Sequence, residues 1–181
     1  MNSLINKLLL FDQLNGQQQA LISRKIENVH LEEGECFLEP GHIQSCLAFV
    51  DNGVLRYNYY NKNAVNITSS LIGEGDLIAT PSHLLLPVIP SDYLQAITSC
   101  DLSVIRKTAM EELSATIQNW DNILIKVSQK VNIDKGSRSV RLVKNMNLDV
   151  TVTEYLEMFP NFSKYLKANQ IMQYLQCQQP K

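Results

Sequence analysis

The sequence predicts an α+β chain built on an antiparallel β-roll of the jelly-roll or double-stranded β-helix type. Seven short β-favouring runs lie between Val29 and Ile105, separated by turns rich in glycine. Apolar residues before Asn28 instead recur at helical spacing. From Thr108 to Val143 there is a single glycine, Gly136, and no proline, which predicts a long helix after the roll.

Leu4, Ile5, Leu8, Leu9 and Phe11, then Leu21, Ile22 and Ile26, mark two short helices with Asn15-Gly16 as the break. The strand runs are Val29–Leu31, Cys36–Leu38, Cys46–Val50, Val54–Tyr60, Val65–Leu71, Tyr93–Thr98 and Leu102–Ile105. Turn residues separate them: Glu33-Gly34-Glu35, Pro40-Gly41, Asp51-Asn52-Gly53, Gly73-Glu74-Gly75-Asp76 and Pro90-Ser91-Asp92. Asn52-Gly53 is a hairpin signal, because both residues tolerate positive φ. In the long helix, Ile117, Trp120, Leu124, Val127 and Val131 step by three and four, a heptad seam suited to pairing with a second copy. The same stripe would also suit packing on the chain's own roll. Beyond Asp134 the seam positions turn polar. Val150–Leu175 is helical in pattern, with an interruption at Phe159-Pro160.

The chain has 181 residues, of which 45% are hydrophobic and 19% charged, enough to bury a substantial core. No leader pattern opens it, and its longest apolar runs, such as Ser82–Pro90, are too short to span a bilayer. A cytoplasmic protein without a membrane partner is expected. Cys36, Cys46, Cys100 and Cys177 stand singly, so reduced, mostly buried thiols are expected rather than a metal or disulfide framework. His30, His42 and His83 share no metal-ligand spacing. The net charge of −2 conceals an asymmetry: from Lys126 onward there are nine Lys/Arg against four Asp/Glu. That basic back suits either contact with a polyanion or a solvated helical face.

Several segments, in order, carry a resemblance. They are Leu31-Glu32-Glu33-Gly34-Glu35, Pro40-Gly41, Phe49-Val50-Asp51-Asn52-Gly53-Val54-Leu55-Arg56, Gly75-Asp76-Leu77-Ile78 and Tyr155-Leu156-Glu157-Met158-Phe159-Pro160. From about Phe11 to Leu175 the chain resembles the cyclic-AMP receptor/fumarate-nitrate regulator (Crp/Fnr) family of transcription regulators. The resemblance implies a cyclic-nucleotide-binding-type β-roll sensor over residues 1–107, a dimerisation helix over 108–143 and a partial helix-turn-helix over 144–181.

Family members that bind cyclic nucleotides carry a phosphate cassette that opens with Gly-Glu and closes with Arg-Ser or Arg-Thr. Here Ala79-Thr80 and Pro90-Ser91 stand at those places, so Ile78, Ala79, Thr80, Pro90, Ser91 and Asp92 are the candidate ligand-binding residues. Between Thr80 and Ser91 there is no Lys or Arg, and Asp92 adds negative charge. A buried phosphate without a counter-charge is costly to desolvate, so a cyclic nucleotide bound in the usual way is not expected. Arg56, beside the Asn52-Gly53 turn, is expected to point outward. The run Leu84-Leu85-Leu86-Pro87-Val88-Ile89 suggests an apolar lining, for an uncharged small molecule or for a pocket filled by its own side chains.

Ile171-Met172-Gln173-Tyr174-Leu175 resembles the first helix of the family's DNA-reading motif, and six residues follow it in this sequence. A recognition helix needs on the order of ten residues. The resemblance therefore implies either a module lacking that helix, with weak salt-sensitive attraction to DNA, or a complete regulator of which this is a part. The expected partners are a second copy or a related full-length regulator, plus an unidentified small-molecule effector. A cupin-type metalloenzyme is the remaining alternative. It would need two or three converging histidines, and His30, His42 and His83 show no such pairing. No Ser-His-Asp arrangement stands out in the sequence, so no enzyme, metal or cofactor is expected.

Overall fold

The computed structural model describes residues 2–41, 45–79, 92–144, 152, 156–157, 159–167 and 169–171, with the backbone alone over 136–144. Two helices lead: α1 (Ser3–Leu8) and α2 (Gly16–Ser23). The break between them is broader than the sequence suggests, because Asn15 is the N-cap of α2 and forms a capping box with Gln18.

Eight strands follow among the described residues: β1 (Glu27–Leu31), β2 (Cys36–Leu38), β3 (Cys46–Asn52), β4 (Val54–Tyr60), β5 (Asn66–Gly73), β6 (Leu77–Ala79), β7 (Tyr93–Ala96) and β8 (Cys100–Arg106). They form two four-stranded sheets, ordered β1-β8-β3-β6 and β2-β7-β4-β5. The recorded strand pairs are all antiparallel. Asn52-Gly53 does not close a hairpin, since β3 and β4 belong to different sheets. Gly53, at φ +90°, turns the chain from the first sheet to the second. A Cβ there would lie 2.4 Å from the Ser99 carbonyl oxygen, so only glycine fits. The three-residue strand β6 overlaps the end of the Gly75–Ile78 run and is too short to show its own alternation.

β3 is buried on both faces, which explains its unbroken apolar run. Cys46, Ala48 and Val50, with Val104 of β8, face the second sheet and pack with its Leu55, Ile72 and Leu94. Leu47 and Phe49 face the helices. Cys46 and Cys100 are buried free thiols and Cys36 is half-buried; burial pushes the Cys36 and Cys100 thiols up, away from reactivity. His42, His83 and Cys177 lie outside the described residues.

The helix expected over 108–143 is two helices, α3 (Lys107–Thr116) and α4 (Trp120–Lys144). Ile117, between them, takes an extended conformation that ends the first helix. The heptad stripe faces inward. Ile117, Trp120, Leu124 and Val127 are buried within the chain itself, against Leu4, Leu8, Ile22, Leu47, Phe49 and Ile105, with Val131 half-buried beside them. The periodicity correctly marks an apolar face, but its partner is the first sheet with α1 and α2. On the outer face of α4, Ile125 and Ile133 are exposed.

Trp120 is fully buried, yet its Nε1–H has no hydrogen-bond partner among the described residues. Removing the side chain leaves a cavity, whereas Phe keeps most of the packing and discards an unpaired buried donor. In urea unfolding, Trp120→Ala is expected to cost about 3–5 kcal/mol. Trp120→Phe is expected to cost clearly less. Equal losses for the two variants would contradict this assignment.

Candidate functional site

Three elements meet at one open end of the roll. The register pairs Tyr57 with Ser70 and Leu55 with Ile72, which places Tyr57, Ser70 and Ile72 on one face of the second sheet. The tight turn Gly73–Asp76 then carries the chain into β6. Gly75, at φ +89°, donates its N–H to the Val50 carbonyl at 2.9 Å, and Val50 N–H donates to the Asp76 carbonyl at 3.0 Å. The Asp76 carboxylate accepts from Gly73 N–H at 2.8 Å. Over this end passes α4, presenting Lys130, Val131, Asp134 and Lys135 from successive turns.

Between them lies a cleft of about 450 Å³. Tyr57, Ser70, Ile72, Asp76 and Leu77 form its roll side and the four α4 residues its helix side, while Lys7 of α1 and Phe159 close it. Lys135 Nζ sits 4.2 Å above the centre of the Tyr57 ring and 3.5 Å from Asp92. Lys130 pairs with Asp134 at 2.5 Å. Such a lining offers apolar walls and three ammonium groups, of which Lys130 and Lys135 are already paired with Asp134 and Asp92; it can hold a small molecule with an apolar body whose acidic end takes the place of one of those carboxylates.

The residues singled out in the sequence fall unevenly around this cleft. Ile78 is fully buried between the sheets, paired with Ala48, and contributes core rather than lining. Ala79 pairs with Leu47 and packs against the helical core. Asp92 reaches the edge of the site through Lys135. Thr80, Pro90 and Ser91, with the Leu84–Ile89 run, lie outside the described residues. Arg56 lies on the face opposite Leu55 and Tyr57, where its guanidinium donates to Gln95 Oε1 at 2.7 and 3.0 Å. The cations at the cleft come instead from Lys7, Lys130 and Lys135, residues far from the cassette in sequence. Nothing local in the chain announced them.

A second feature adjoins the cleft. After α4 the chain returns to the second sheet, where Pro160–Lys164 forms a 3-10 turn. Phe162, Leu166, Ile171 and Val152 form a small core with Val54, Leu71 and Ile97. Phe162 lies directly on Gly73, where a Cβ would stand 2.4 Å from its ring. Lys164 Nζ is 2.7 Å from Glu74, and the Tyr165 hydroxyl lies 2.5 Å from both Asn52 Oδ1 and Glu74 Oε2. The hydrogen bonds from Lys164 and then Tyr165 hold the Glu74 carboxyl below its ordinary range. The same contact pushes Lys164 up to about 12. Residues 172–175 of the expected motif helix lie outside the described residues.

One further cluster was not visible in the sequence. His30 Nδ1 is 2.8 Å from Asp101, and Ser99 Oγ is 3.4 Å from His30 Nε2, the order of a hydrolytic triad. The His30 and Asp101 side chains, however, are 54% and 52% exposed, and Glu32 sits 3.5 Å from the same Nε2. Solvent and a competing carboxylate leave this a surface ion-pair network, in which the Asp101 hydrogen bond raises the His30 pKa. Among the described residues no group of three His, Cys, Asp or Glu is placed to hold a metal ion. No described helix is long and apolar enough to cross a membrane.

No protein-family model matches the chain, and no curated protein matches it. Solved structures do. The N-terminal domain of a transcriptional regulator from Streptomyces coelicolor A3(2) is 17% identical, with a TM-score of 0.59 over 76% of this chain and 96% of that one. A cyclic nucleotide-binding domain from Methylobacillus flagellatus KT is 13% identical, with a TM-score of 0.66 over 80% and 84%. The c-di-GMP-responsive global regulator CLP of Xanthomonas campestris is 15% identical, with a TM-score of 0.58 over 79% and 71%. At these identities the likeness is one of fold: a cyclic-nucleotide-binding-type β-roll of the kind that transcriptional regulators carry.

The Glu74 contact with Lys164 and Tyr165 depends on pH at its acidic limb. Because folding depresses the Glu74 pKa, its contribution to docking is complete above its ordinary value of 4.5 and is lost as pH falls through the depressed value. The Tyr165 ring resonances are expected to move toward unfolded values as pH drops below 4.5, and Glu74→Gln is expected to flatten that transition. A wild-type profile identical to that of the variant would contradict the assignment.

Proposed function

We propose that this chain, which has the fold of the Crp/Fnr sensor domains, is a small-molecule sensor module of a transcription-regulator relative. The observation that carries the reading is the cleft between the roll and α4, lined by Tyr57, Ile72, Val131 and Phe159 with lysines at its edge. Its ligand is a small molecule with an apolar body, held without the cassette arginine that a cyclic phosphate requires, since Thr80–Ser91 contains no Lys or Arg. The acidic end that the three lysines can hold adds a charge that the cassette sequence alone did not suggest.

The output is a protein contact or a weak, non-specific attraction to DNA rather than base readout by residues 159–171, because Phe162, Leu166 and Ile171 are packed on the roll. Self-association, where it occurs, uses the outer face of α4 around Ile125 and Ile133, since the inner stripe is occupied by the chain's own core.

Two measurements test the two ends. In a thermal-shift panel of small aromatic and aliphatic carboxylates, at least one compound is expected to raise Tm by several degrees in the wild type and not in Tyr57→Ala. A panel that stabilises both proteins equally would contradict the cleft. Fluorescence anisotropy across a salt series with the gene's own upstream DNA is expected to give weak binding equal to that of scrambled DNA. A clear preference for the native fragment would restore a working DNA reader.

A further inference from the structure

Along β3 the positions that face the helices are Leu47 and Phe49, and the next in that alternation is Asp51. There the apolar cover of the first sheet gives way to a polar face. Val50 stands opposite Leu102 and Asn52 opposite Asp101, so Asp51 is the extra residue of a bulge. The bulge brings Asp51 and Asn52 to the same face. The Asp51 carboxylate accepts from the Ser103 hydroxyl at 2.7 Å, and Asn52 Nδ2 donates to Asp101 at 3.2 Å. β1 adds Asn28 opposite Ser103 and His30 opposite Asp101. With Asn2, the N-cap of α1, these residues line a pocket of about 460 Å³. It shares no lining residue with the cleft.

Its charge is also opposite to that of the cleft. No Lys or Arg is among the described residues that line it. Asp101 is balanced by His30, 2.8 Å away. Asp51 has no such balance: it takes one hydrogen bond, from Ser103, and enters no ion pair among the described residues. Ser103 is 2% exposed and accepts in turn from Asn2 Nδ2 at 3.4 Å, so the hydroxyl that orients Asp51 is itself held. A carboxylate already fixed by its neighbours loses little freedom when it pairs with a cation. The cation is organic rather than metallic, because among the described residues no three His, Cys, Asp or Glu are placed to hold a metal ion.

We propose that this pocket binds a small hydroxylated amine, with its ammonium group on Asp51 and its hydroxyls on Asn28 and Asp101. An ammonium donates up to three hydrogen bonds, and the Asp51 oxygen that Ser103 leaves open accepts one of them. A hydroxyl both donates and accepts, which matches the two neighbours. Asn28 makes no side-chain hydrogen bond among the described residues, and each Asp101 oxygen keeps a lone pair beyond those used by His30 and Asn52. This site does not depend on the cleft being occupied.

The test is an amide NMR titration of the full isotopically labelled chain, near neutral pH, with glucosamine and ethanolamine as probes. The controls are N-acetylglucosamine, which keeps the hydroxyls without the ammonium charge, and magnesium chloride. At least one amine is expected to give saturable shifts at Asn28, Asp51 and Ser103 that neither control gives. Asp51→Asn keeps the shape of the side chain and its bond from Ser103, and is expected to weaken that binding about ten-fold or more. Failure of both amines to give saturable shifts at these amides would overturn the proposal. So would an equal response to N-acetylglucosamine, a response to magnesium alone, or wild-type affinity in Asp51→Asn.

Discussion

Trp120, Ile123, Leu124 and Val127 set the height and rotation of α4 over the roll, and the functional region takes its geometry from that contact. One and two turns beyond Val127 the same helix leaves the core and passes over the open end of the second sheet. There Lys130, Val131, Asp134 and Lys135 meet Tyr57, Ser70 and Ile72. The apolar half of α4 thus acts as a foundation and its amphipathic half as a wall. A shift of the foundation by one residue would rotate the wall by about 100° and take the lysines out of the cleft. The buried, unpaired Trp120 donor is tolerated because the large side chain fills the centre of this contact.

The second constraint is the turn Gly73–Asp76. Its backbone is tied to β3 through Val50, its glycine makes room for the Phe162 ring, and its two acidic residues face different partners. A single tight turn therefore holds together the roll, the cleft and the returning chain. The Asn52-Gly53 turn carries the chain between sheets, and Asn52 also receives the Tyr165 hydroxyl and donates to Asp101.

Much of the fold was legible because strands and helices leave local marks. Val54–Tyr60 and Cys36–Leu38 emerged with the bounds that β propensity and flanking turns suggest. Strand pairing was not legible at Asn52-Gly53, since positive φ marks a sharp turn without saying which strands it joins. The Ile117–Val131 stripe was read correctly as apolar. Periodicity identifies a face to be covered but not the surface that covers it, and here most of the stripe is packed against the chain's own sheet and helices. The break at Ile117 was missed because neither Gly nor Pro marks it. The candidate site was the least legible part. Its lysines come from α1 and α4, its ring from β4 and its last wall from Phe159, so only the folded chain brings them together.

The absence of an arginine between Thr80 and Ser91, and the presence of lysines from α1 and α4 at the cleft, make the same physical point from two sides. On the proposed reading, charge recognition rests on the helices that flank the roll rather than on the segment Thr80–Ser91. A guanidinium grips a phosphate through two parallel hydrogen bonds, whereas separate ammonium groups offer point charges without that fork. On the proposed reading, such a site favours a compact acidic group on an apolar body over a cyclic phosphodiester. The measurement that tests this most directly is an amide NMR titration of the isotopically labelled chain with cyclic AMP. The account predicts no saturable shifts at Tyr57, Ser70, Ile72 or Lys135 even at millimolar nucleotide. Saturable shifts at those amides with micromolar affinity would contradict it.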